Sequence, residues 1–380
     1  MTPPLTIDQL RERGQLRRED VDAFLAGRVV PIVEGPHATF LFRGQADAVL
    51  LQHWIFGLTA SQPFRRLGGT DLWWLTIDVP ENSRIEYKLE VVRGEYRELI
   101  RDPLNPREAR DPFGANSVLQ GAGYEEPEWV RPDPEARQGS FEDRVIDSRA
   151  FGDHRRVLVY LPARFRRSRR YPLLVVHDGR DYLRYAALHE ILDNLIHRLE
   201  IPPLIAVFVN PGQRLKEYAA DPAHARFIAE EVVPAIERDF PLSAEPRERC
   251  LMGASFGAVA SLATAWAYPG SFGRLLLQSG SFAFTDIGGN RRGPAFDPVV
   301  EFVNRFRADP GRPSERLFVS CGMYESLIYE NRSMVPLLQR TGMTVRYVEA
   351  RDGHNWENWR DRLREGLSWL FPGPLWMVYE

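Results

Sequence analysis

The sequence predicts a two-domain protein in which an all-β sandwich precedes an α/β domain built on a mostly parallel sheet. Between residues 39 and 99, short apolar and aromatic runs alternate with turn-rich segments, a pattern typical of a β-sandwich. Residues 125–138 contain three prolines and five acidic residues, which favours an extended, solvated linker. From residue 139 onward, continuous apolar runs alternate with helix-length stretches, as parallel strands joined by right-handed crossovers require.

Length and composition limit the classes of function. At 380 residues, the chain is long enough for two domains with separate cores, and its 44% hydrophobic and 27% charged residues are typical of globular proteins. A net charge of −3 provides no basic excess for nucleic acid or an anionic membrane surface. Signal-peptide and membrane-spanning patterns are not evident. Two cysteines are too few for a disulfide framework, so we expect a cytoplasmic protein. The sequence leaves the oligomeric state open, and a homodimer is one of the alternatives.

The N-terminal domain is predicted over residues 1–124. Residues 7–26 place apolar positions among charges and predict a short helical lead-in. The strands of the sandwich are predicted at 38–43, 48–54, 72–77 and 85–92. We expect the aromatic residues of these runs to fill the interior. The alternative is a sugar-binding platform made of Trp54, Trp73, Trp74 and Tyr87. Residues 101–119 are interrupted by proline and asparagine and predict no regular element.

The C-terminal domain is predicted over residues 139–380. The run at 171–179 is apolar without alternation, as a strand buried on both faces requires. The remaining strands are predicted at 142–148, 155–161, 204–210, 249–252, 274–278, 316–321 and 344–349, and the helices at 185–199, 222–240 and 331–340.

A Gly-x-Ser-x-Gly pattern surrounds Ser255. It lies between a strand-like run at 249–252 and a helix-compatible stretch of small residues at 258–265. A sharp turn between a strand and a helix would expose the hydroxyl as a nucleophile. The alternative is a glycine-flanked packing turn, because the pattern is short enough to recur by chance.

A serine nucleophile needs a base and a group that orients the base. His354 follows the strand at 344–349, and Glu325 follows the strand at 316–321, so the chain presents serine, acid and histidine in that order. Asp352 is too near His354 in sequence to orient its ring, and Glu330 is about one helical turn too far along. A serine and histidine dyad is the alternative.

The oxyanion formed by attack on an ester requires backbone N–H donors. Phe256 follows the nucleophile and provides one, and the second is expected from the turn at 177–181, where Gly179 permits the tight backbone path and Arg180 offers its N–H. We expect His177, in the same segment, to be structural. A metal site formed with Asp178 is the alternative.

Several further segments carry a family resemblance: 62–63, 69–73, 102–106, 117–119, 177–179, 210 with 214 and 217–218, 253–257, 278–281, 352–354 and 359–360. On these segments the chain resembles the enterochelin (ferric-siderophore) esterases, within the esterase D and feruloyl-esterase-like branch of α/β hydrolases. The resemblance implies an immunoglobulin-like N-terminal domain and an α/β-hydrolase domain. It also implies catalytic roles for Ser255, His354 and Glu325.

We therefore expect a cofactor-free serine esterase that acts on a small-molecule ester through an acyl-enzyme. Aromatic walls for the acyl group are expected from Tyr324, Tyr329 and Trp356. A ferric tris-catecholate siderophore is strongly anionic and would suit a basic entrance to the site. Four arginines could form that entrance, and the alternative is that they are ordinary surface residues: Arg180, Arg214, Arg291 and Arg292. The pattern is also compatible with a carbohydrate-linked feruloyl or acetyl esterase and with a non-catalytic hydrolase-fold binding protein.

Overall fold

A computed structural model describes residues 5–285 and 292–374, which group into two compact units. The N-terminal unit runs to Glu126 and also takes in Met323–Ser326 and Ala350–Asn355. The C-terminal unit comprises Pro127–Gly322, Leu327–Glu349 and the residues from Trp356 on. Two short loops that lie late in the chain therefore pack with its beginning.

The N-terminal unit contains two antiparallel sheets. One has the strand order β1-β2-β6-β5, and the other has the order β4-β3-β7-β10-β9 with β8 also paired to β7. The strands are β1 (Ile32–Glu34), β2 (His37–Arg43), β3 (Ala48–His53), β4 (Ser61–Pro63), β5 (Arg65–Arg66), β6 (Leu72–Asp78), β7 (Arg84–Arg93), β8 (Tyr96–Ile100), β9 (Glu108–Asp111) and β10 (Gly114–Gln120). This arrangement confirms the predicted sandwich.

Alternation along the strands explains how the unit is filled. Phe40 and Trp73 point into the core shared by the two sheets, where Phe40 meets Tyr87 edge to face at 4.8 Å. Their neighbours Leu41 and Trp74 point the other way, into a second cluster with the helices α1 (Thr6–Arg11) and α2 (Arg18–Leu25). Because β2 is covered on both faces, its residues from Ala38 to Phe42 are all buried, and all of them except Thr39 are apolar.

Two expectations for this unit are wrong. The segment predicted to lack regular structure forms a hairpin of β9 and β10, in which Gly114 pairs with Asp111 across a tight turn. Asparagine and proline punctuate that turn and the chain leading to it, whereas the strand residues Val118 and Leu119 are buried. Trp54 is expected in the core, but its side chain is 57% exposed because it follows the last residue of β3.

The C-terminal unit contains an eight-stranded sheet of order β11-β12-β14-β13-β15-β16-β17-β18. The first three strands pair antiparallel, and the run from β14 through β13, β15 and β16 to β17 is parallel. The strands are β11 (Ser140–Ser148), β12 (Asp153–Leu161), β13 (Leu173–His177), β14 (Ile205–Val209), β15 (Arg249–Ala254), β16 (Arg274–Gln278), β17 (Arg316–Gly322) and β18 (Thr344–Ala350).

Helices cover both faces of this sheet. Alternate residues of the central strands, such as Val175 and Leu174 on β13, contribute to opposite hydrophobic clusters. The helices are α3 (Gly179–Tyr185), α4 (Leu188–His197), α5 (Arg214–Glu217), α6 (Pro222–Arg226), α7 (Val233–Asp239), α8 (Phe256–Ala267), α9 (Asp297–Ala308), α10 (Ile328–Arg340) and α11 (Trp356–Leu370), with a π-helical segment Phe227–Val232 joining α6 to α7. The predicted α/β-hydrolase class with an immunoglobulin-like N-terminal sandwich is confirmed.

The two cysteines are buried in this unit and neither forms a disulfide: Cys250 lies on β15 and Cys321 on β17, with β16 between those strands. Within the described part of the chain, no helix is both long and apolar enough to cross a bilayer.

Candidate active site

Ser255 occupies a strained turn between β15 and α8. Its φ of 58° and ψ of −119° lie outside the regions that a non-glycine residue normally adopts. The flanking glycines are required by close approach. A Cβ on Gly253 would lie 2.4 Å from the carbonyl carbon of Gly257, and a Cβ on Gly257 would lie 3.3 Å from the Cβ of His177. The turn therefore has the geometry of a nucleophile elbow.

The segment after β16 supports this turn. The Ser255 N–H donates to the Gln278 carbonyl at 2.9 Å, and the Ser281 N–H donates to the Ser255 carbonyl at 3.2 Å. The Ser281 Oγ lies 3.1 Å from the Ser255 Oγ, so the two hydroxyls share a hydrogen bond. The Asn331 side chain in turn forms two hydrogen bonds with the Gly280 backbone. Its Oδ1 accepts the Gly280 N–H at 3.1 Å, and its Nδ2 donates to the Gly280 carbonyl at 2.9 Å. These contacts fix the hydroxyl of Ser255 within the C-terminal unit.

A hydrogen-bonded pair of a carboxylate and an imidazole lies in the N-terminal unit. The Nδ1 of His354 is 2.5 Å from the Oε2 of Glu325. The Glu325 side chain is 1% exposed, whereas the His354 side chain is 36% exposed. A carboxylate only accepts hydrogen bonds, so the neutral imidazole carries its proton on Nδ1 and keeps its lone pair on Nε2. This tautomer is the one that a general base requires.

The competing carboxylates are bound elsewhere. Glu330 accepts a hydrogen bond from Arg292 at 2.6 Å. Asp352 accepts the N–H of Gly353 and the side-chain amide of Asn355, each at 2.7 Å. Of these three carboxylates, Glu325 is the one in contact with the His354 ring.

The proposed oxyanion donors lie at two helix starts in the C-terminal unit. Phe256 and Gly179 are the first residues of α8 and α3, where N–H groups have no partner inside the helix. The Arg180 N–H, by contrast, donates to the Asn210 side-chain oxygen at 3.1 Å. A substrate oxygen would have to share or replace that acceptor, which makes Phe256 and Gly179 the simpler pair.

Arg214 binds the turn after β13. Its Nε lies 2.9 and 3.0 Å from the two carboxylate oxygens of Asp178, and its Nη2 lies 2.7 Å from Oδ2. Asp178 itself adopts a left-handed conformation with φ of 54°, and its N–H donates to the Tyr218 hydroxyl. Two nitrogens of the guanidinium are thus committed to a protein carboxylate, leaving Nη1 as the group with further capacity for a ligand.

The aromatic residues predicted as acyl walls differ in their surroundings. Tyr324 is half-buried, packs against the sandwich core, and its hydroxyl is 2.5 Å from the Ser83 Oγ. Trp356 is buried against Tyr182 in the C-terminal unit. Tyr329, on α10, is 57% exposed. Of the predicted arginines, Arg180 is exposed, Arg292 pairs with Glu330, and Arg291 lies outside the described residues.

A buried histidine pair lies beneath the elbow. The Nε2 atoms of His177 and His224 are 3.0 Å apart, and the Nδ1 of His177 lies 3.1 Å from the Met252 carbonyl. That carbonyl requires a proton on Nδ1, so His177 accepts from His224 through Nε2. Burial lowers the pKa of His177 to about 4 and that of His224 well below its usual range. The pair is therefore neutral at physiological pH.

This network argues against the metal alternative at His177 and Asp178. Both ring nitrogens of His177 are hydrogen-bonded, and the Asp178 carboxylate is occupied by Arg214. Among the residues that the structure describes, no group of three histidine, cysteine, aspartate or glutamate side chains is placed to hold a metal ion.

Sequence reasoning missed three participants. Ser281 and Asn210 belong to segments that carry the family resemblance, yet nothing local to them indicates a contact with Ser255 or Arg180. His224 follows an Asp-Pro helix start, in which the Asp221 carboxylate caps α6 through the Ala223 N–H. The partner that this histidine meets, His177, is 47 residues away. Periodicity therefore offered no signal for any of these pairings.

Comparison with known proteins adds a family. Residues 148–370, more than half of the chain, match the Esterase family model, described as "Putative esterase". An iron(III) enterobactin esterase of Escherichia coli O6:H1 (strain CFT073) is 26% identical over 336 residues, which cover 81% of this chain and 82% of the relative.

Solved structures show the same fold. The ferric enterobactin esterase of Salmonella typhimurium superposes with a TM-score of 0.72 at 21% identity, over 88% of this chain and 93% of that chain. A ferulic acid esterase superposes with a TM-score of 0.52 at 19% identity, over 62% of this chain and 98% of that chain. The first likeness is long enough to extend into both units, whereas the second accounts for less of the chain.

Proposed function

Because the chain belongs to the Esterase family and is an ester hydrolase, we propose that Ser255 is its nucleophile. The observation that carries this proposal is the strained backbone of Ser255, with positive φ, at a tight strand-to-helix turn, a conformation that costs free energy and clusters at functional sites. In the same proposal His354 is the general base, and Glu325 orients its ring.

The mechanism uses each group in one step. The Nε2 of His354 takes the proton of the Ser255 hydroxyl as the Oγ attacks the ester carbonyl carbon. The N–H groups of Phe256 and Gly179 stabilise the oxyanion of the tetrahedral intermediate. Collapse of the intermediate breaks the bond to the alcohol, which leaves with the proton from His354. Water, activated by the same histidine, then releases the acid from the serine.

Covalent labelling tests the nucleophile. A fluorophosphonate probe should modify Ser255, with the adduct located by mass spectrometry of the peptide, and Ser255→Ala should lose both the label and the hydrolysis of p-nitrophenyl butyrate. Ser368→Ala is the matched control, because that hydroxyl bonds to the Arg364 carbonyl within α11. Retention of most activity by Ser255→Ala would sink the assignment and leave the non-catalytic binding protein as the better interpretation.

For the substrate, we propose a siderophore ester of the enterochelin type. Support comes from similarity to the iron(III) enterobactin esterase over 81% of this chain, a length that exceeds the hydrolase unit. Arg214 keeps one guanidinium nitrogen beyond those bound to Asp178, which suits an anionic ligand.

An ester panel tests the substrate. Cyclic and linear catecholate siderophores, each with and without iron, are compared with feruloylated and acetylated saccharides by kcat/KM. A catecholate ester should exceed the saccharide esters by at least about tenfold, the size of a discrimination of about 1.4 kcal/mol. Preference for the saccharides would instead favour the carbohydrate esterase, for which the exposed Trp54 would form part of a platform.

We also propose a cytoplasmic location, which suits two buried cysteines that are not joined in a disulfide. The partner in this proposal is a small-molecule ester.

A further inference from the structure

We propose that Arg84 and Asp352 are positioning residues for the reaction: together they clamp the turn that carries His354 onto the N-terminal sandwich. This inference rests on the proposed role of His354 as general base. It assigns the sandwich a function in catalysis that differs from substrate binding, because Arg84 and Asp352 contact the turn that carries His354 and hold that turn in place.

Asp352 organises the turn itself. Its Oδ1 accepts the N–H of Gly353 and the side-chain amide of Asn355, each at 2.7 Å, so the residues on either side of His354 are tied to one oxygen. Asp352 is 4% exposed. Burial raises the pKa of its carboxyl to about 6, although Arg84 and the Asn355 amide favour the ionised form.

Arg84 connects this turn to the sandwich. It is the first residue of β7, a central strand of the larger sheet, and its side chain is 3% exposed. Its Nη1 lies 3.1 Å from the Asn355 Oδ1 and 3.5 Å from the Asp352 Oδ1. The same nitrogen lies 3.1 Å from the Oε1 of Glu86, two residues along β7. A single buried cation therefore joins the sheet to both ends of the turn.

Backbone contacts bring the two loops together on the same surface. The Arg84 N–H donates to the Arg351 carbonyl at 2.9 Å, and the Tyr324 N–H donates to the Asp352 carbonyl at 3.0 Å. The Phe56 N–H donates to the Tyr324 carbonyl at 2.7 Å. The loop of the acid and the loop of the base are thus hydrogen-bonded to each other and to the sandwich, as their grouping into one unit reflects.

Because the charges of Arg84 and its partners are buried, we expect their contacts to fix the position of the turn that carries His354 more than they add to the free energy of unfolding. Replacing a buried ion pair with apolar residues is often neutral or stabilising, because removing charges from water costs about as much as their attraction returns. Arg84 forms several directed hydrogen bonds, which restrict the turn in distance and in angle. General base catalysis depends on such restriction, since a displacement of about 1 Å lowers the rate by about 10²-fold.

Kinetics of the full-length enzyme test the clamp. Arg84→Met should lower kcat for p-nitrophenyl butyrate by about 10²-fold with KM nearly unchanged, and Arg84→Lys should recover part of the loss by restoring a cation. Asn355→Ala removes one acceptor of Arg84 and one donor to Asp352 at a partly buried position, so it should fold and lower kcat by about 10-fold. Arg93→Met is the matched control, because Arg93 is also on β7 but pairs with Glu98 at the surface.

A double-mutant cycle distinguishes positioning from general damage. In a His354→Gln background, Arg84→Met and Asn355→Ala should cause no further loss of the residual kcat, since the group they position is absent. Equal losses in both backgrounds would overturn the clamp, as would wild-type kcat and pH profile in folded Arg84→Met and Asn355→Ala. If Arg84→Met fails to fold, the kcat of Asn355→Ala in the two backgrounds tests the clamp by itself. Full activity of His354→Gln would overturn the proposed role of His354 as general base. If His354→Gln is inactive while Arg84→Met and Asn355→Ala keep wild-type activity, only the proposed clamp is overturned.

Discussion

At the scale of single residues, three carboxylates compete in sequence for the histidine, and the structure separates them by their partners. Glu325 contacts the ring of His354, Glu330 binds Arg292, and Asp352 binds the turn that carries the histidine. Each is buried and each is hydrogen-bonded, so the identity of the partner, and not burial, distinguishes the three carboxylates.

Substitution of Glu325 should lower the rate without abolishing it. Glu325→Gln keeps the shape but can hold His354 in the wrong tautomer, and we expect kcat to fall by about 10²- to 10⁴-fold, against complete loss in Ser255→Ala. Initial rates with p-nitrophenyl butyrate measure this. Glu330→Gln is the control and should retain its rate. An unchanged rate in Glu325→Gln would indicate a serine and histidine dyad or another acid.

At the scale of elements, the turn after β13 combines two uncommon features. Asp178 is left-handed, and its carboxylate is held by three contacts from Arg214 on α5. The turn leads directly into Gly179, whose N–H is a proposed oxyanion donor. Arg214 therefore has two interpretations: it braces this turn, or it binds an anionic substrate.

Two variants and two substrates separate these roles. If Arg214 braces the turn, Arg214→Met and Asp178→Asn should lower kcat to a similar degree with both neutral and anionic esters, because either change breaks the same pair. If Arg214 binds substrate, Arg214→Met should raise KM for the anionic ester, while Asp178→Asn leaves that KM unchanged. Measurement of kcat and KM for both esters decides between them. Arg226→Met, on the neighbouring α6, serves as a charge-matched control.

At the scale of the whole molecule, the pair of His177 and His224 makes the folding stability of the C-terminal core depend on pH. The rings of His177 and His224 are buried between β13 and α6, with Asp178 and Arg214 acting on His177 in opposite directions. Both folded pKa values are depressed, so the unfolded chain binds more protons than the native state once the pH falls below about 6.5. The pair's contribution to stability is thus complete above that pH and is lost as the pH falls toward 4.

Unfolding measurements should show this loss. For His177, the free energy of unfolding should fall by up to about 1.4 kcal/mol per pH unit between pH 6.5 and about 4, and His224, whose folded pKa also lies well below its usual range, should steepen that fall. His224→Gln keeps an N–H for His177 and removes one titrating ring, so the slope of its unfolding free energy against pH, from urea denaturation, should be shallower than that of the wild type. His154→Gln, at an exposed position, should keep the wild-type slope. Equal slopes in wild type and His224→Gln would contradict the assignment of neutral rings.

Local sequence was sufficient for much of this protein. The fold class of each part, the central strands of the C-terminal sheet and the turn at Ser255 followed from periodicity and from glycine spacing, because these features depend on neighbours within a few residues. The helices α9 and α11 and the strands β4, β5 and β8 were not predicted. The hairpin of β9 and β10 escaped this reasoning since β9 has only four residues and β10 begins with residues typical of turns, Gly114 to Ser117.

The sequence by itself determined the fold class, the α/β-hydrolase elbow and the order in which serine, acid and histidine follow one another. Tertiary structure alone decided that Glu325 meets His354, that Ser281 meets Ser255 and that Arg84 reaches Asp352 across 268 residues. The physical reason is the range of the forces. A strand or helix is selected by local backbone preferences, whereas a polar side chain is given its partner when packing removes water and leaves a particular group within reach.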